Sequence, residues 1–395
     1  MNTMTVSDAS VVLNSIVSQA TGKAQITPTN TSEFVALAKL GLERGYDPLA
    51  TAISQILSRT IFSVRPYERK FRGIYADSQK WGNHVRKLQV VDRDFVPDQS
   101  FALVDGQSID MYKVRKPIVL QTNFYGQTTF SDYVTRYKDQ LDVAFEGPEQ
   151  LASFFSMITQ NLSDRFEQAH EDMAREAVAN FIGAKALADP NNVVYLLDLY
   201  DAETGLTSDR QTIKQPENFA PFAKWLYSWV KTMSRLLSER TTKYHQNFTV
   251  DGTTKYIARH TPLNRQKLYL YAKEINDIDA SVLSGVFNEE YMRIMDHELT
   301  SFWQAIDSPM TIDVDAGYTD ATGATTHGSV NLENVFGVLF DEEAIGYTVV
   351  NQDMSVTPMN SAGFYWNFWY RFTDRYWNDL TENGVVMILD HAPEG

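Results

Sequence analysis

Cysteine is absent from the 395 residues, which removes disulfides, thiolate nucleophiles and cysteine-based zinc sites together. Long apolar runs are missing too: no stretch of about 20 apolar residues exists to span a bilayer, and Val11 to Val17 is too short for a signal-peptide core. Positive charge is scarce, with 35 Lys and Arg against 50 Asp and Glu and a net charge of -15. That argues against a large electrostatic grip on nucleic acid, which needs clustered Lys and Arg to displace counterions. The first cation is Lys23 and the first Arg is Arg44, so no basic leader is expected and the chain should be soluble and unexported.

Signatures of chemistry are equally thin. His297-Glu298 would need a second His at position 301 to read as a metalloprotease helix, and that residue is Ser301. Asp313 to Asp320 resembles part of a calcium loop, but the twelfth position, which needs a bidentate Glu, is Ala324. No Walker loop, dinucleotide glycine fingerprint or nucleophile elbow is present. The expectation is therefore no catalytic residue, no cofactor and no metal.

What the chain does contain is a very long helix. Gly147-Pro148 starts it, because proline at the first helical position has no amide to leave unpaired, and Asp189-Pro190 stops it. At about 1.5 Å per residue it runs roughly 60 Å. Leu151, Phe155, Ile158, Leu162, Phe166, Ala169, Met173, Ala177 and Ala184 form its apolar stripe, with an eleven-residue repeat that suits a nearly straight rod laid on a flat surface. A coiled-coil or bundle helix is the alternative. The other face carries Asp164, Glu167, Glu171, Asp172 and Glu176 and should be an exposed acidic surface.

Before this helix, residues 1–31 are rich in Ser, Thr, Asn and Gln and are expected to form an arm without a core of its own. Ser32 is placed to cap a helix ending near Gly45, and Asp47-Pro48 begins another. From Ile61 to Asn123 strands and polar linkers alternate, with a turn at Asp105-Gly106. Lys70, Arg72, Lys80, Arg86, Lys87 and Arg93 make this the one basic region, and it should pack on another subunit. After the helix, Val193–Leu199 reads as a strand, Phe222–Leu237 as a helix, Lys267–Tyr271 as a strand and Ala280–Met295 as helical. Together they indicate an α/β-type domain over about 195–330. Thr311–Gly328 reads as a polar loop. Phe364, Trp366, Phe368, Tyr370 and Phe372 give a strand one wholly aromatic face; that face reads as buried sheet, with a sugar platform as the alternative. Glu382-Asn383-Gly384 turns the chain into a final strand, Val385–Leu389, so a C-terminal hairpin is expected.

This element order resembles the major capsid proteins of tailed bacteriophages with the HK97-like fold. Local strings are similar as well: Arg259-His-Thr-Pro-Leu-Asn-Arg-Gln-Lys-Leu-Tyr269, Val335-Phe-Gly-Val-Leu-Phe-Asp-Glu-Glu-Ala-Ile-Gly-Tyr347 and Tyr376-Trp-Asn-Asp-Leu-Thr-Glu-Asn-Gly384. The resemblance implies an α+β fold divided into an N-terminal arm and short helices (1–65), an extended β loop (66–125) and a peripheral domain (126–194) with a spine helix (148–187). An axial domain (195–335) follows, and returning strands (336–395) complete the body. It implies a structural protein that assembles as pentamers and hexamers into an icosahedral shell around double-stranded DNA, without sequence-specific DNA binding. Its partners would be copies of itself with scaffolding, portal and decoration proteins, in a virion assembled in the host bacterial cytoplasm. An encapsulin-like cargo compartment and a soluble enzyme with an unrecognised site are the alternatives. If the extended loop crosses the neighbouring subunit, Arg86, Lys87 and Arg93 would meet Glu167, Glu171 and Glu176 there.

Overall fold

The computed structural model describes residues 6–60 except 24, 26 and 44, then 71–75, 84–91, 103–125 except 113, 115 and 117, and 127–250, 252–283 and 297–393. Its first surprise is α1, Val6–Thr21, in the segment expected to be an arm. Ala9, Leu13, Ile16 and Val17 recur at helical spacing and are all fully buried, which makes the segment part of a core rather than an appendage. It packs on α2, Thr31–Leu42, and α3, Tyr46–Thr60. The cap of α2 is Asn30 rather than Ser32: its side chain accepts from the Glu33 amide at 2.9 Å, while Glu33 reaches back to the Thr29 amide at 2.8 Å. Two orphan donors at the helix start are thereby satisfied.

The long helix, here α5, runs Pro148–Ala188 over 41 residues, with Gly147 at its N-cap and Asp189 at its C-cap. The short helix α4, Lys138–Ala144, precedes it. Of the expected stripe, the side chains of Phe155, Ile158 and Leu162, like that of Asp164, lie outside the described residues; Leu151, Ala177 and Ala184 are buried. The picture of a rod with one wet acidic face fails further along. Every residue from Ala177 to Lys185 except Asn180 is buried, because the helix is held between a sheet and a hairpin. Gly183 records the closeness of that hairpin: a Cβ there would lie 2.6 Å from Val314 and 3.0 Å from Val330.

That hairpin is β9, Ile312–Thr319, with β10, Thr325–Leu332, where the sequence suggests a polar loop. Ile312, Val314 and Ala316 face the helix while Asp313 and Asp315 face water, so the aspartates that imitate a calcium loop are the outward half of a period-two strand. The sheet on the other side of α5 has the order β4-β14-β11-β7-β8. These strands are Val193–Tyr195, Gly384–Ile388, Val335–Asp341, Gln266–Tyr271 and Glu298–Thr300. The expected strand from Val193 to Leu199 is cut short, since helix α6, Leu196–Thr204, begins inside it. With α7, Pro216–Ser238, and α8, Ala272–Leu283, this helix covers the face of the sheet opposite α5. Between α7 and β7 lies a small hairpin, β5, Phe248–Val250, with β6, Thr253–Lys255.

The aromatic strand is β13, Tyr365–Asn378, flanked by β12, Ile345–Val356, and β3, Thr128–Tyr137, in an antiparallel three-stranded sheet. Trp366, Phe368, Tyr370 and Phe372 are buried against the N-terminal helices and α5. A C-terminal hairpin does not form. The last strand, β14, pairs antiparallel with β11 and parallel with β4, in the other sheet. Finally β1, His84–Val90, and β2, Val119–Tyr125, pair as an antiparallel two-stranded ribbon, with Asp105-Gly106 turning in the connection and Gly106 at φ 88°.

Candidate assembly interface

The ribbon is fastened to the body at Lys87. Its Nζ donates to Asp379 Oδ2 at 2.6 Å and to Glu382, and lies 3.9 Å from Glu343. Two strand positions on, Gln89 donates to Thr381 Oγ1 at 2.9 Å. The acceptors sit on a tight turn that closes on itself, since Asp379 Oδ1 accepts from the Thr381 amide at 2.9 Å and from its hydroxyl at 2.6 Å. Arg259 reaches the same turn, 3.3 Å from Glu382 and 3.2 Å from the Thr381 carbonyl.

Beneath the turn, Asn383 donates to Thr261 Oγ1 at 3.1 Å, and Thr261 donates to Asp341 at 2.8 Å. His245 is buried beside them, with Nδ1 3.1 Å from Asn383 Oδ1 and Nε2 2.6 Å from the Ile257 carbonyl. Burial opposes charge on Lys87, yet Asp379 and Glu382 outweigh it and hold the ammonium above the usual lysine value. Burial pushes the Glu382 carboxyl up in spite of Lys87 and Arg259. The two directions fit together, because Glu382 shares its ammonium with Asp379, whose charge also repels it. Burial keeps His245 below the ordinary histidine value.

The six residues proposed from the sequence as an interface are not alike in the structure. Arg86 is exposed and lines a crevice with Glu342 and Glu343. Lys87 is engaged within its own chain. Arg93 lies outside the described residues. Glu167 and Glu171 are buried, contrary to the exposed acidic face expected of them. Glu171 accepts from Arg175 Nη2 at 2.6 Å, and Arg175 continues to Thr300 at 3.0 Å and to the Phe302 carbonyl. Only Glu176 of the three helix acids is exposed, lining a crevice with Asn123 and Tyr125 of β2. No local pattern in the sequence marks Asp379, Glu382 and Arg259 as partners of the ribbon, because Lys87 and Arg259 are distant from that turn in the chain.

The ribbon also carries exposed apolar side chains. Leu88, Val90 and Val119 are 59%, 60% and 54% exposed, and Met111, Tyr112 and Val114 in the connection are 79–81% exposed. Large apolar side chains gathered exposed on one ribbon and its connection mark a contact with something else. Among the described residues no group of three or more His, Asp or Glu could hold a metal ion. Glu298 instead accepts from the Gly73 amide at 3.1 Å. No described helix is long and apolar enough to cross a membrane.

A family model for Phi29-like phage major capsid proteins matches residues 13–388. No curated protein matches. Among solved structures, the capsid of Staphylococcus phage Andhra aligns at 10% identity and a TM-score of 0.53, covering 84% of this chain and 86% of that one. A chain from the structure of head fiber and inner core protein gp22 of bacteriophage P68 aligns at 10% identity and a TM-score of 0.52, covering 81% and 84%. The fold shared with these chains is the HK97-like α+β fold of tailed-phage capsid proteins. Matched over nearly its whole length, the chain belongs to the family of Phi29-like phage major capsid proteins, structural and non-enzymatic components of the virion.

Proposed function

We propose that many copies of this chain assemble as pentamers and hexamers into an icosahedral shell enclosing the double-stranded DNA of a tailed bacteriophage. The observation that carries this reading is the fastened ribbon with its exposed Met111, Tyr112 and Val114. The described residues of one chain leave them open, whereas closed symmetry repeats one covering contact around a whole capsomer. In this reading residues 66–125 are the extended loop, α5 is the spine, 195–335 form the axial domain and the remaining strands the peripheral domain. Shell assembly takes place in the host cytoplasm with scaffolding and portal proteins, and decoration proteins bind the outside.

Among the described residues the charge pairing narrows to Arg86 with Glu176 of the next copy, since Lys87 and Glu171 are already paired internally; Arg93, outside them, stays a candidate cation for the same contact. Glu167 is buried within its own chain and takes no part in that pairing. A chain of net charge -15 repels DNA rather than holding it, which suits a container that must be filled without sticking. Negative-stain micrographs of the chain, expressed with its neighbouring genes, test the reading. Closed shells with fivefold and sixfold capsomers are the expected result, and dimers or other small oligomers as the end state would contradict it.

A further inference from the structure

The three-stranded sheet ends in an open edge. β3 pairs with β13 on one side, and among the described residues no strand pairs with its other side. None of its 10 residues is buried, although Phe130 and Val134 lie against the core. Open strand edges invite pairing with another chain, and folds guard them by keeping them short, bulged or covered. The other edges of the two larger sheets are guarded in these ways. β4 and β8 have 3 residues each, while β12 is bulged between Val349 and Asn351 and bridged to Tyr75 at Tyr347. β3 has no such device, for it runs in unbroken register along its full length and contains no proline.

Charge selects the partner. Asp132 and Arg136 share the core-side face of β3 with Val134 between them, opposite the buried Tyr370, Trp366 and Phe368. Four residues apart along an extended strand, they are separated by about 13 Å and cannot pair with each other. Arg136 Nε is buried without a hydrogen-bond partner among the described residues, and burial works against the charge of its guanidinium. Asp132 lies 2.6 Å from Arg165, but both side chains of that pair are open to water, which makes it weak. Inward charges of this kind turn away a foreign strand, which would have to bring a carboxylate opposite Arg136 and a cation opposite Asp132. Turned end for end, β3 itself brings both. In an antiparallel register centred on Val134, Arg136 of each copy stands opposite Asp132 of the other, and opposite charges facing each other across strands stabilise a sheet. The contact is self-complementary, as a twofold contact between identical copies must be. We propose that β3 pairs antiparallel with β3 of a second copy of this chain, joining their sheets into one across a twofold axis. The proposal rests on the shell reading only for copies that meet in numbers; it uses neither the ribbon nor its apolar side chains.

Because the chain has no cysteine, single Cys variants of the full chain report on this contact directly. Val134→Cys sets two thiols facing each other across the axis, whereas Ser131→Cys on the same strand leaves them about 20 Å apart. Oxidation with copper phenanthroline should give disulfide-linked dimers on a non-reducing gel from Val134→Cys and none from Ser131→Cys. A second test needs no cysteine. Arg136→Glu should cut the yield of assembled particles about tenfold, and adding Asp132→Lys should restore most of it, because the swapped charges again face their opposites. Shells of Val134→Cys that stay uncross-linked overturn the proposal and leave the shell reading standing. Cross-linked dimers from a chain that never forms shells support the proposal and overturn that reading. Failure of Asp132→Lys to rescue Arg136→Glu would point to a foreign strand on this edge and overturn the proposal as well.

Discussion

Lys87 and Arg86 are neighbours with opposite fates, and the difference is burial. Lys87 is largely enclosed with Asp379 and Glu382, so replacing it by Met leaves the buried Asp379 carboxylate without its cation and Glu382 with Arg259 alone. Breaking such a pair costs about 3–5 kcal/mol, and chemical denaturation of Lys87→Met should show a loss near the lower figure because Lys87 keeps some contact with water. Arg86→Ala, by contrast, should change unfolding free energy by less than about 1 kcal/mol. Equal effects of the two would mean that the ribbon is not fastened at Lys87. His245 gives a second test, with a defined sign. Its value in the fold lies below that of the unfolded chain, so its contribution to stability is present above the ordinary histidine range and is lost as pH falls through the folded value. Melting temperature should therefore drop between pH 7 and 5, and His245→Gln should flatten that part of the profile. A profile identical in both proteins would show that the ring does not titrate with unfolding.

At the scale of elements, two strong local signals agree with the structure. Two prolines bracket α5, and period-two aromatics announce β13, because each signal lies within one stretch of backbone. Three things were hidden. The apolar stripe of α1 is diluted by Ser, Thr, Asn and Gln, so composition outweighed spacing. The β9–β10 hairpin was concealed by aspartates that occupy its wet face. The partner of the last strand is distant in the chain, and no local pattern reveals that β14 lies between β4 and β11. The candidate site divides the same way: the basic run was visible, but Asp379 lies 292 residues from Lys87. The correction to α1 has a measurable consequence. Deleting residues 1–21 uncovers Phe34, Leu49 and Ile53, which are buried in the same core, and should lower the melting temperature by ten degrees or more or leave the chain insoluble. A truncated chain that melts normally would restore the arm reading.

For the whole molecule, the two sheets divide the labour. The five-stranded sheet is covered on both faces, by α5 and the hairpin on one side and by α6, α7 and α8 on the other. The three-stranded sheet is covered on one face only, and the ribbon carries its apolar side chains into solvent. Each contact between copies need be worth little, since many repeated weak contacts reinforce one another around a closed capsomer. The ribbon should therefore matter to assembly and hardly at all to the folded subunit. Sedimentation velocity of the parent chain and of Met111→Asp with Tyr112→Asp, under conditions in which the parent forms shells, tests this most directly. The account predicts a megadalton boundary for the parent and subunits or free capsomers for the double variant, with melting temperatures that agree within a few degrees. A double variant that sediments as full shells would contradict it.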